Sequence, residues 1–330
     1  MIHEIGEFGL IRSIRELVCE QEAQDGDDDF RLLLGIGDDA AAWRTSEATE
    51  LATTDTLVDG VHFRHDLTSW EDLGWKSMAV NLSDIAAMGG RPLFALVTLG
   101  LTRDTSVEDV RDLYLGMLAA CRTYGCRIAG GDVVHSPVDF VTVAMTGIAG
   151  DRVLTRRAAN PGDSVAVTGP LGSAAGGLQA LLRGDLPHDE SGLHLQAALN
   201  RPVPRLDACE TLIHCGVKAA MDVSDGLVDD LAKLCEASGV GAVVEAGRVP
   251  ADAFLRDAYP EGWLQLALNG GEDYELLFTG ADAVVEAAVT TLPQATVVGR
   301  IVADHPGRVR VVDEVGADVA LSRSGWDHFA

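Results

Sequence analysis

The chain has 330 residues, 47% hydrophobic content and a net charge of −26, from 25 Lys+Arg against 51 Asp+Glu. That length suits two domains of ordinary size with packed cores, and no apolar run reaches the roughly 18 residues of a membrane span. A surface this acidic repels nucleic acid and anionic lipid at long range, which sets both aside as partners.

The N-terminus carries acids and has no cleavage-site pattern, so it does not read as a signal peptide. Its apolar residues Ile11, Ile14, Leu17 and Val18 fit the buried face of a helix. A strand is predicted over ELATTDTLV, a helix around Trp70–Met88, a strand over LFALVTLGL, a helix over Ser106–Tyr124 opened by Asp and Glu, and a strand over DFVTVAMTGIAG. The segment 151–162 holds Arg152, Arg156 and Arg157 and ends in the turn signal NPGD. A boundary is placed near Gly150, dividing the chain into 1–150 and 151–330. The second half opens with strand SVAVTG, the glycine-rich turn PLGSAAGG and a helix at Leu178–Leu182. A polar helical stretch, RPVPR and a strand-to-helix unit at Ala219–Ala237 follow. Strands and helices mix throughout, so both halves read as α/β or α+β. The six cysteines include no CxxC pair, which fits reduced thiols in a cytoplasmic chain.

Aspartates set among glycines recur along the chain. They read GIGDDAA (Gly35–Ala41), TTDTLVDGVHF (Thr53–Phe63), NLSDIAAMGG (Asn81–Gly90), GGDVVHSP (Gly130–Pro137), MDVSDGLVDD (Met221–Asp230) and NGGEDYEL (Asn269–Leu276). Short carboxylates on tight turns are hard oxygen ligands that suit Mg²⁺ or Mn²⁺ better than zinc or iron. GIGDDAA imitates a dinucleotide fingerprint, but Asp38 and Asp39 would repel a pyrophosphate unless a metal lay between; an Asp-capped turn is the plain alternative. Alternation along a strand sends Thr53, Thr54 and Asp55 to different faces, so backbone carbonyls would share in ligation. Asp84 sits on a helix among small residues. His62 and His65 form HxxH without the further ligands of a zinc site; His62 reads as a substrate contact or an ordinary strand residue. TGPLGSAAGG looks like a phosphate cradle but lacks the GK[ST] of a P-loop. Lysine occurs only at positions 76, 218 and 233, so metal ions, with Arg152, Arg156 and Arg157, must supply the charge for any nucleotide phosphate.

Together these motifs resemble the thiamine-monophosphate kinase family, of the superfamily of aminoimidazole ribonucleotide synthetase and selenophosphate synthetase. The resemblance runs from GEFGLI (Gly6–Ile11) to GWDHFA (Gly325–Ala330), with LTRRAANPGD and the other motifs in the order the family shows. TTDT stands where STDT is frequent, and the residue before His62 departs from a common Asn. The resemblance implies direct transfer of the terminal phosphoryl of ATP to thiamine monophosphate. It implies Mg²⁺ ions, with Mn²⁺ an alternative, held by Asp39, Thr53, Thr54, Asp55, Asp84, Asp132, Asp222 and Asp225. ATP contacts would come from Tyr114, Gly131, Asp132, Arg156 and Ser224, and contacts to the thiamine phosphate from His62, Glu272 and Trp326. Asp84 and Asp132 would act catalytically through metal, with no general base. A homodimer paired through the N-terminal sheets, and a C-terminal sheet covered by helices, are implied as well. Two rivals stand beside this reading: a sister ATP-dependent enzyme acting on another acceptor, and a non-catalytic metal-binding protein of the same fold.

Overall fold

The computed structural model describes residues 49–150 and 152–321, with residues 13, 16–18, 20, 32–34 and 42–43. Residues 16–18 are helical, and the short strands β1 (Leu32–Leu34) and β2 (Ala42–Trp43) pair antiparallel. GIGDDAA with Asp39, and Trp326, lie outside the described residues. The chain divides into two compact units, Met1–Ile85 with Arg91–Asp151, and Ala86–Gly90 with Arg152–Ala330. Among the described residues no helix is long and apolar enough to cross a membrane.

The first unit contains β3 (Thr49–Val58), α1 (Trp70–Ala87) up to Ile85, β4 (Gly90–Leu101) from Arg91 onward, α2 (Val107–Tyr124), β5 (Arg127–His135) and β6 (Phe140–Ala149). Its sheet runs β3-β6-β4-β5, with β3 and β6 in an antiparallel ladder and β4 and β5 parallel. Parallel neighbours need a crossover, and α2 supplies it between β4 and β5. Ser106 caps α2 in a reciprocal box with Asp109, its hydroxyl accepting from the Asp109 amide at 3.1 Å while the Asp109 carboxylate accepts from the Ser106 amide at 2.8 Å. Alternate β6 residues Val141, Val143 and Met145 are buried, and their neighbours are half-exposed. One face of the sheet is therefore covered and the other open. The segment GGD, expected as a turn, lies inside strand β5. Glycine is needed there for backbone approach: a Cβ on Gly131 would fall 1.7 Å from the Val97 carbonyl oxygen.

The second unit contains β7 (Ser164–Val167), α3 (Ser173–Arg183), α4 (Glu190–Asn200), α5 (Leu206–Cys215), β8 (Ala219–Asp222) and α6 (Leu227–Ser238). There follow β9 (Gly241–Glu245), α7 (Ala253–Ala258), α8 (Trp263–Asn269), β10 (Leu276–Gly280), α9 (Asp282–Thr291), β11 (Thr296–Val302) and β12 (Val309–Val312). The sheet order is β12-β9-β11-β7-β10-β8. Both faces are covered. Val165, Val167, Met221 and Leu277 join one apolar cluster with Leu231 and Leu234 of α6; Ala166, Ala220, Leu276 and Phe278 join another with Leu212 of α5 and Val285 of α9. Burial on both faces explains why Val165–Val167 and Ala219–Met221 are apolar at every position rather than at alternate ones. Both units are thus mixed α/β, the class expected from sequence.

Candidate active site

In the first unit, the site is built from β3 and α1. Thr53 stands opposite Met145 and Asp55 opposite Val143 in the ladder. Residues directly opposite share a face, and Met145 and Val143 are 1% and 0% exposed. Thr53 and Asp55 therefore lie on the covered face, with Asp84 of α1. The Thr53 hydroxyl donates to Asp84 Oδ2 at 2.5 Å. Burial, then the charge and hydrogen bonding of Asp84, push the Asp55 carboxyl up to about 6. Thr54 alternates to the other face and is exposed, so its hydroxyl stands apart from this pair. Asp132 is also exposed, on β5 at the opposite edge of the sheet, its carboxylate accepting from the Val133 amide at 2.9 Å. Three strand spacings separate the two edges, roughly 14 Å, so Asp132 does not meet Asp55 and Asp84 directly.

Tyr114 lies within α2 and is 4% exposed; burial drives its phenol well above the usual value. His62 follows β3, with Nδ1 accepting from the Val58 amide at 3.1 Å, which fixes the ring's tautomer. His65 instead meets Asp139 at 3.1 Å and stacks near Trp70. The HxxH pair thus has two separate sets of protein partners.

In the second unit three loops meet at one edge of the sheet. Strands β7 and β8 both run antiparallel to β10. Their C-terminal ends and the start of β10 therefore fall on the same side. The β7–α3 turn, the β8–α6 turn and the segment 269–275 before β10 converge there. The Asp273 carboxylate accepts from the Gly172 amide at 2.7 Å, and the amides of Glu272 and Tyr274 donate to the carbonyls of Ser224 and Val223 at 2.8 and 2.9 Å. Glu272 and Tyr274 have φ of 70° and 51°, a left-handed conformation that is strained for such residues and concentrates at functional sites. Asp222, 4% exposed, ends β8; Ser224 and Asp225 follow it on the turn, half-buried. Asp225 is ion-paired to Lys233. Arg156 is exposed, one residue past a bridge between Thr155 and Ala219 at the start of β8.

Several supporting residues were not foreseen. Asp230, buried at the base of the β8–α6 turn, accepts from the amides of Ser224, Asp225 and Gly226. Its sequence signal was an acid on the apolar stripe formed by Leu227, Leu231 and Leu234. Glu275, 2% exposed, is gripped by Arg205 and by the Thr168 hydroxyl. Asp273 is held well above the carboxylate range by burial and then by the nearby Glu275 and Glu272. A shallow groove of about 440 Å³ between Glu245, Arg248, Val312 and Glu314 contains none of the motif residues.

Among the described residues no group of three or more His, Cys, Asp or Glu is close enough to hold a metal alone. The donors come as a carboxylate pair with a hydroxyl. That set fits Mg²⁺, which characteristically takes one or two carboxylates and fills its octahedron with water and substrate phosphates. A divalent cation would also relieve the repulsion between Asp55 and Asp84.

The chain matches the models of the AIR synthase related protein family, the N-terminal domain over residues 37–149 and the C-terminal domain over 160–312. That sets the class: two mixed α/β domains with the aspartate motifs divided between them. The thiamine-monophosphate kinase of Salmonella typhimurium (strain LT2) is 39% identical over 305 residues, covering 90% of this chain and 92% of its own. The crystal structure of thiamine-monophosphate kinase from Stenotrophomonas maltophilia K279a superposes with a TM-score of 0.81 at 35% identity, over 89% of this chain and 95% of that one. AaThiL complexed with AMPPCP and TMP gives a TM-score of 0.77 at 34% identity, over 100% and 99% of the two chains. The chain belongs to the thiamine-monophosphate kinase family.

Proposed function

We propose that this protein phosphorylates thiamine monophosphate with ATP, giving thiamine diphosphate, in a reaction that requires Mg²⁺. Membership of the family supports the substrates, and AaThiL complexed with AMPPCP and TMP supports the pairing of nucleotide and acceptor. The observation that carries the metal requirement is the Asp55–Asp84 pair with the Thr53 hydroxyl.

The acceptor is itself a phosphate, largely ionised near neutral pH because its second pKa is about 6. The chain need not remove a proton; its task is to bring two polyanions together in line. Mg²⁺ bound by Asp55 and Asp84, with Mn²⁺ as a substitute, would neutralise phosphate oxygens and template an in-line displacement. Asp39, Thr53, Thr54, Asp132, Asp222 and Asp225 complete the proposed donor set, Thr54 through its carbonyl. Tyr114, Gly131, Asp132, Arg156 and Ser224 would serve ATP. His62, Glu272 and Trp326 would receive the thiamine phosphate; a tryptophan face attracts a thiazolium cation by roughly 0.5–2 kcal/mol. Residues 1–150 are proposed to bind metal and ATP and to dimerise through the open face of their sheet, where Leu96 is 40% exposed. Residues 151–330 would complete the site. The five described cysteines are thiols rather than disulfides, which suits the reducing compartment proposed for the chain, the cytoplasm.

The test incubates purified protein with ATP, Mg²⁺ and thiamine monophosphate and follows thiamine diphosphate by chromatography with thiochrome fluorescence. Product that needs all three components, and is not formed from free thiamine, is expected; ATP loss with no such product would move the chain to another acceptor. Asp84→Ala should abolish turnover in a folded chain, and near-normal turnover at saturating Mg²⁺ would refute its role. Light scattering on the eluting peak checks the dimer.

A further inference from the structure

The β8–α6 turn is organised by an anion of its own chain. Asp230 is 0% exposed and lies within the first turn of α6. Its Oδ2 accepts from three consecutive amides, those of Ser224 at 2.9 Å, Asp225 at 2.9 Å and Gly226 at 3.1 Å. Three amides converging on one oxygen form the kind of nest that elsewhere receives a phosphate. Here a carboxylate fills it. Its second oxygen, Oδ1, accepts from Lys233 Nζ at 2.7 Å, and the same ammonium binds the Asp225 carboxylate. Lys233 is one of only three lysines in a chain with 51 acids, and it is committed to this turn.

The three amides are spent on the buried Asp230 carboxylate and are not free to cradle a phosphate. We propose that Asp230 and Lys233 are positioning residues for the loop that carries Asp222, Ser224 and Asp225. Asp230 fills the nest, and Lys233 ties Asp225 to it, so that the turn offers carboxylates to a metal-bound nucleotide and withholds its amides. This role rests on the metal-dependent phosphotransfer reading. It differs from mere stabilisation because it predicts a local loss of loop order and of metal affinity without a global loss of fold.

Amide exchange and metal binding test it together in Asp230→Asn, which is nearly isosteric, and in Lys233→Met, at a half-exposed position where folding is less at risk. In Asp230→Asn the amides of Ser224, Asp225 and Gly226 should exchange at least tenfold faster, with those of β7 and β10 unchanged. Manganese binding followed by electron paramagnetic resonance should weaken by about 10- to 100-fold in Asp230→Asn, the range seen when groups that orient ligands are removed. Turnover should need correspondingly more Mg²⁺, with kcat largely restored at saturation. Lys233→Met should show the metal effect more weakly, and Lys233→Arg should reverse it. Faster exchange across the whole second unit with unaltered metal binding would reduce both residues to structural ones and overturn the proposal. If wild-type protein forms no thiamine diphosphate, the functional reading fails instead; the exchange rates of residues 224–226 still decide whether Asp230 holds the turn.

Discussion

Asp55 and Asp84 bring like charges into one partly buried space, and Asp55 is the group displaced. Its carboxyl rises from 3.8 to about 6, through burial first and Asp84 second. In that interval the folded chain binds the proton more tightly than the unfolded chain, so ionising Asp55 destabilises the fold. The metal-free protein therefore gains stability from this group below about pH 4 and loses it as pH rises through about 6. Asp55→Asn cannot ionise. In chelator, its melting temperature should exceed that of wild type near neutral pH and converge with it near about pH 4, although its turnover is lost. Thermal melts of the two proteins across pH measure this, and a variant less stable than wild type at neutral pH would mean that Asp55 is held by partners rather than strained against Asp84. Mg²⁺ should reverse the order, raising the melting point of wild type and not of the variant.

Helices α1 and α2 cross where both carry glycine. A Cβ on Gly116 would sit 1.8 Å from the Glu71 carbonyl oxygen, and one on Gly74 would sit 1.9 Å from that of Leu113. Gly116→Ala must therefore push apart the two helices that cover the sheet, α1 being the one that carries Asp84. A loss of about 3 kcal/mol or more is expected, at or beyond the usual cost of overpacking. Gly125 closes α2 at φ 72° with nothing within 4 Å of a built Cβ. Gly125→Ala should cost only the left-handed penalty, about 1–2 kcal/mol. Urea unfolding of the two variants compares them, and equal losses would show that the helices can separate at little cost. Such crossings were not legible in the sequence, because a glycine inside a helical pattern states no partner. What was legible followed from local chemistry: the acids Glu108 and Asp109 just after Thr105 and Ser106 marked the start of α2, and β3 and β6 read as strands. For α3 only Leu178–Leu182 was read, against Ser173–Arg183 observed, since Gly176 and Gly177 interrupt its apolar pattern and are tolerated by close packing on α4 and α7. The site followed the same division. The aspartates were visible as motifs, whereas the nest at Asp230 and the grip of Arg205 on Glu275 join residues that only the fold brings together.

Over the whole molecule the net charge of −26 acts on every anionic substrate before any contact forms. Most nucleotide sites present a basic approach, and added salt weakens them by screening attraction. This chain has the opposite long-range field. The cations near its proposed site are few and locally committed: Lys233 is bound to Asp225 and Asp230, and Arg205 to Glu275. ATP and the phosphate of thiamine monophosphate must approach against repulsion, eased by bound metal and by exposed arginines such as Arg156. Screening shortens that repulsion from a reach of about 30 Å at 0.01 M salt to about 3 Å at 1 M. At fixed free Mg²⁺, KM for ATP should therefore fall several-fold as KCl is raised from about 0.05 to about 0.5 M, with kcat changing less, because the effect precedes chemistry. Initial rates over a grid of salt and nucleotide concentrations measure it. A KM that rises steadily with salt would show that a local basic field at the site outweighs the acidic surface, and would turn attention to Arg152, Arg156 and Arg157 as its source.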